Sequence, residues 1–136
     1  MANEATLFWE VELPIPFTVA DGAGIEKGTL LKLTDPMTAA AADGAADVLA
    51  GVSAEEKISG DGKTKLGVYR RGIFKMTSDG SISVGASVMS DGTDNQVITS
   101  TTATSGAKTL GTALETAADG DTFLVDLNIG SGSPNA

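Results

Sequence analysis

The sequence predicts an all-β domain with an extended N-terminal arm and an internal pseudo-repeat, and three observations carry that expectation. Runs at residues 25–33, 66–76, 82–89 and 122–129 are short, apolar and bounded by Gly, Asp or Pro, as strands and turns are. Residues 7–17 alternate apolar side chains with the period of two that an extended chain imposes. A word order set in the first half of the chain returns in the second. The expected organisation is an arm over residues 1–20, a β domain over residues 21–129 of two similar halves (about 21–76 and 77–129), and a flexible tail over residues 130–136.

In the arm, Leu7, Trp9, Val11, Leu13, Ile15 and Phe17 fall on one side of the alternation, and Phe8, Glu10, Glu12, Pro14 and Pro16 on the other. Proline has no N–H to donate, so the segment is expected at a sheet edge or laid over a surface. It holds three of the six aromatic residues. Burying such a stripe at ~25 cal/mol per Å² contributes several kcal/mol before the cost of ordering the chain. The arm either folds back on its own domain or lies in a partner's groove, adding main-chain pairing along one edge. In the second case, deleting residues 1–17 leaves the domain folded. Leu7, Phe8, Trp9, Val11, Leu13, Ile15 and Phe17 are the candidate contact residues.

After a turn at residues 21–24, residues 25–33 read as a strand entered through Gly28 and ending at Asp35-Pro36. Residues 37–42 favour helix by propensity, but Gly44 follows within two turns, so a loop or a single helical turn is expected. Residues 48–53 resume the apolar pattern, and residues 55–65 are polar and glycine-rich enough to form a hairpin loop. In the run at 66–76, Leu66 and Val68 point one way and Gly67 and Tyr69 the other, before Arg70, Arg71 and Gly72. The glycine suggests a bulge or a close backbone approach. Arg70 and Arg71, the only arginines, either mark the emergence of a core strand into solvent or anchor carboxylates of a partner.

The repeat lies in two echoes. Residues 82–88 resemble residues 25–31 at an offset of 57, and residues 110–115 resemble residues 50–55 at an offset of 60. Each second echo leads through a loop containing Gly and Asp to an apolar strand, with more than one register open for Leu66 and Val68. Residues 96–99 suit a further strand and residues 101–106 a flexible tip. Two similar β-units packed face to face would follow.

Composition bounds the chemistry. A chain of 136 residues can bury roughly two-thirds of its unfolded surface, but with 4% aromatics and 17 glycines the core must use small side chains. With no Cys and no His, thiol chemistry, Ser-His-Asp triads and the usual zinc sites are excluded. Asp and Glu outnumber Lys and Arg by 18 to 9, and the net charge of -9 argues against nucleic acid. The N-terminus is acidic and no apolar run reaches the ~20 residues of a membrane span, so a soluble protein made without export is expected.

Motifs suggestive of catalysis fail on spacing. Gly62-Lys63-Thr64 resembles the end of a phosphate-binding loop, but Lys57 stands where that loop needs a glycine. Asp91, Asp94 and Asn95 lack an EF-hand's spacing and closing Glu, and an Asx-rich turn explains them better. Glu55, Glu56 and Glu115 have no nucleophile beside them. No enzyme, metal or cofactor is expected.

The words at residues 4–7, 14–21, 25–28, 33–36 and 51–57, with Gly67-Val68-Tyr69, Gly72-Ile73-Phe74 and residues 111–115, together cover most of the chain. In this order they resemble the small capsid decoration, or cement, proteins of tailed viruses of bacteria and archaea. The resemblance implies a compact β-barrel or β-sandwich, commonly a homotrimer, on the outer surface of the virion's capsid after synthesis in the host cytoplasm. Its partner would be the major capsid protein, whose neighbouring subunits it bridges against internal pressure, with neither nucleic acid nor membrane involved. The rival class is a tail-fibre, adhesin or cell-surface domain recognising glycan or host protein.

Overall fold

The computed structural model describes residues 3–44, 47–92, 94–100 and 108–129, which form β-strands and no α-helix. In chain order these are β1 (Thr6–Glu10), β2 (Ile15–Thr18), β3 (Leu30–Asp35), β4 (Thr38–Ala41), β5 (Leu49–Ser53) and β6 (Lys65–Tyr69). They continue as β7 (Arg71–Thr77), β8 (Ser87–Ser90), β9 (Val97–Thr99), β10 (Thr109–Ala113) and β11 (Thr122–Asn128). A closed barrel runs β2-β4-β3-β5-β6, and a six-stranded sheet runs β1-β7-β11-β10-β8-β9.

The two assemblies share one topology. Starting from its first strand, the barrel reads β2-β6-β5-β3-β4 and the sheet β7-β11-β10-β8-β9, with β1 added outside. Parallel pairing of Thr18 with Thr38 closes the barrel, and a parallel bridge from Ser78 to Val97 stands at the matching place in the sheet. The main-chain bonds repeat as well. Ile25 and Lys57 exchange N–H···O bonds of 2.9 and 2.7 Å, as Ile82 and Ala117 do at 2.9 and 2.8 Å. The Ala54 N–H donates to Gly67 and the Leu114 N–H to Leu124, which aligns Leu66 with Phe123 and Val68 with Val125.

Side-chain alternation supplies two cores. Phe17, Val19, Ile25, Leu31, Ala39, Ala50, Leu66 and Val68 fill the barrel. The larger cluster is built on Phe74, Met76, Ile82, Val88, Leu110, Phe123, Val125 and Leu127, and also takes Leu30, Leu49 and Val52 from the barrel wall. Because neighbours on a strand face opposite ways, Leu30 and Leu31 serve different cores and β3 is apolar on both sides.

Three expectations need correction. Residues 38–41 form a strand rather than a loop or helical turn, because pairing with β3 and β2 overrides the helix propensity of alanine. Met37 turns the chain there with φ of 49°. The strands expected at 25–33 and 82–89 begin only at Leu30 and Ser87, since Ile25 and Ile82 make isolated bridges. The run at 66–76 is two strands, with Arg70 at the crossing from barrel to sheet. The expected tip at 101–106 and tail at 130–136 lie outside the described residues.

Candidate interaction surface

The arm is extended and folds back on its own domain. β1 pairs antiparallel with β7 along one edge, and as the end strand of the sheet it has no strand paired to its other edge among the described residues. A bulge at Phe8 interrupts the register: Leu7 lies opposite Phe74, and Trp9 opposite Ile73. One extra residue reverses the faces that follow it. Leu7 therefore packs on the core while Trp9 turns outward.

The single stripe expected from the alternation is thus divided. Phe8, Trp9, Val11 and Leu13 are exposed by 58, 66, 50 and 75%, with Ile15 at 37%. Phe17 is 2% exposed in the barrel core and has no surface to offer a partner. The Phe8 and Trp9 ring centroids lie 6.2 Å apart. β2 carries Pro16 opposite Gly67, and its only pairing with β4 is at Thr18, so no ladder bond on that side needs the missing proline N–H.

Removing residues 1–17 would take Ala5 and Phe17 from the two cores, together with β1 and most of β2. The expectation that the domain folds without them is corrected accordingly. Further contacts hold the arm. The Ala5 N–H donates to the Gly28 carbonyl at 2.9 Å, and the Tyr69 hydroxyl to Glu10 Oε2 at 2.9 Å. Burial first, and then the Glu10 carboxylate, push the Tyr69 phenol above its ordinary pKa. The Asx turn clasps the arm's start: Asn95 Nδ2 donates to the Asn3 and Gly28 carbonyls, while Oδ1 accepts the Leu30 N–H at 2.8 Å.

The two arginines have different surroundings. Arg70 is half-buried and donates from Nη1 to the Ala50 carbonyl at 3.0 Å, whereas Arg71 is exposed at the start of β7. The arm also lines two surface grooves. One, of about 510 Å³, includes Leu13, Pro14, Pro16, Glu55 and Lys65, and the other, of about 450 Å³, includes Glu4, Thr6, Leu7 and Lys27.

Sequence reasoning missed Lys57, whose side chain is completely buried. Its ammonium donates to the Asp21 and Ile58 carbonyls at 2.8 and 3.2 Å, and to the carboxylates of Asp61 at 3.0 Å and Asp21 at 3.4 Å. The available signal was the repeat itself, which sets Lys57 against Ala117 at an inward position. The phosphate-loop-like segment has its amides occupied: Gly62 N–H donates to Asp21 Oδ1 and Lys63 N–H to Asp61 Oδ1. Among the described residues, no group of three or more acidic side chains is placed to hold a metal ion.

No curated protein matches the sequence. Among solved structures, the chain resembles the crystal structure of the head fiber gp8.5 N base in bacteriophage phi29, with 18% identity and a TM-score of 0.56 over 83% of this chain and 92% of that one. At that identity the likeness is one of fold. The sequence also matches the family described as phage cement protein over residues 11–129. With every strand but β1 inside that match, the chain belongs to the phage cement protein family.

Proposed function

We propose that this protein decorates the outer surface of a tailed-phage capsid and stabilises it by bridging neighbouring major capsid protein subunits, acting as a homotrimer. Family membership supports the setting. The observation that carries the mode of binding is the exposed run Phe8, Trp9, Val11, Leu13 beside the outer edge of β1. Folding back satisfies one edge of β1 and leaves these four side chains in water, so burying them remains a driving force for association. The outer edge offers main-chain groups for strand addition.

A fibre or adhesin domain that grips glycan would present aromatic faces elsewhere. Phe74 and Phe123 are buried and Tyr69 is half-buried, which weighs against that reading. The test is co-sedimentation with expanded capsid shells lacking the protein. Phe8→Ser/Trp9→Ser/Leu13→Ser should bind at least about 30-fold more weakly, as loss of central aromatic anchors does, with an unchanged unfolding midpoint. Binding equal to that of the unaltered chain would remove the arm from the interface.

A further inference from the structure

Building on the capsid-binding reading, we propose that the outer face of β1, β7 and β11 is the docking face, and that it fits a protein surface bearing carboxylates around an apolar recess. The strand register places the side chains. Lys75 stands between Thr6 and Leu124, Ile73 between Trp9 and Asp126, and Arg71 beside Asn128. Phe74 and Met76, at the intervening positions, face the core. Arg71, Ile73 and Lys75 therefore form a row two residues apart on β7, with the Trp9 indole flanking its centre. The bulge at Phe8 brings the indole there, because without it Trp9 would follow Leu7 to the core side.

Charge identifies the partner. Lys32, Lys57 and Lys63 are paired with carboxylates of their own chain, and of the cations that form no ion pair among the described residues, Arg71 and Lys75 share one sheet face. On a chain of net charge -9, these three strands set two outward cations against one outward carboxylate, Asp126. Arg70 does not belong to this face, since its guanidinium is held by the Ala50 carbonyl. A small anion would use the cations alone. The exposed Trp9, with half-buried Ile73 and Leu124, adds apolar area that only a macromolecular surface covers.

Arg71→Glu/Lys75→Glu should bind expanded shells about tenfold more weakly at low salt, and the deficit should shrink as salt is added. Lys32→Glu/Lys63→Glu makes the same change in net charge elsewhere and should bind as the unaltered chain does. Equal binding by both double variants would overturn the proposal, as would a changed oligomer size for the free Arg71/Lys75 variant, which would assign the face to a second copy. Should the glutamates impair folding, Arg71→Ser/Lys75→Ser against Lys32→Ser/Lys63→Ser gives a comparison again matched in net charge. Failure of the unaltered chain to bind overturns the capsid reading and this proposal with it, and is visible before any substitution is made.

Discussion

The barrel and the sheet solve one topological problem with different chemistry. In both, a side chain donates to main-chain carbonyls beside the isolated bridge. The barrel uses the Lys57 ammonium, held by the carbonyls of Asp21 and Ile58 and by two carboxylates. The sheet has Ala117 at that place, and Ser78 donates its hydroxyl to the Ala118 and Asp121 carbonyls at 2.7 and 3.3 Å. A long cation and a short hydroxyl thus reach the equivalent carbonyls of Ile58 and Ala118 from different positions of the repeat. What the repeat preserves is hydrogen-bond satisfaction rather than residue type.

The shared part of the design should be the most sensitive. An added Cβ at Gly51 would overlap the Tyr69 carbonyl oxygen, and one at Gly111 the Asp126 carbonyl oxygen, with φ of 149° and 159° at the two glycines. Neither carbonyl can yield without breaking its sheet. Gly51→Ala and Gly111→Ala should each lower stability in urea unfolding by about 3 kcal/mol or more. A loss at only one of the two sites would break the equivalence of the units.

The part that differs should respond unequally. Lys57→Ala removes the four hydrogen bonds of a buried ammonium and opens a cavity, for a loss of about 2–3 kcal/mol. Ser78→Ala removes one hydroxyl and should cost about 1 kcal/mol. Equal losses would show that the two seals do equivalent work despite their chemistry.

The smallest effects are electrostatic and opposite in sign. The Lys63 N–H and then the Lys57 ammonium hold the Asp61 carboxyl below its ordinary value, so its contribution is present above about pH 3.8 and lost as pH falls through the lowered value. Asp79 is raised, chiefly by its hydrogen bond to Asp91 and the charge there, so stability from its protonated form is lost as pH rises through the raised value. Asp61→Asn should therefore lower the urea midpoint at neutral pH and Asp79→Asn should raise it. The Asp79 difference should vanish once pH falls below the ordinary aspartate value, and the Asp61 difference only below its lowered value.

Strand words and repeat were legible because alternation and glycine position are local signals. Phe123 and Val125 follow the expected period along β11, and Gly51 and Gly111 mark the same bend in both units. The failures are tertiary. Nothing local in residues 38–41 outweighs alanine's helix propensity; their sheet partners do. The bulge at Phe8 depends on β7, so a pattern count could not see Leu7 and Trp9 part to opposite faces. Lys57 reads as a solvated loop charge until Asp21 and Asp61 are brought to it. For the candidate surface, the sequence located the apolar residues but not the division of the stripe or the separation of Arg70 from Arg71.

A cryo-EM map of expanded shells decorated with this protein tests capsid docking through the arm side most directly. The side chains of Trp9, Arg71 and Lys75 should lie against capsid density, with the β5–β6 loop around Lys57 directed elsewhere. Trp9 and the outer face of β7 turned to solvent in a fully decorated shell would contradict it.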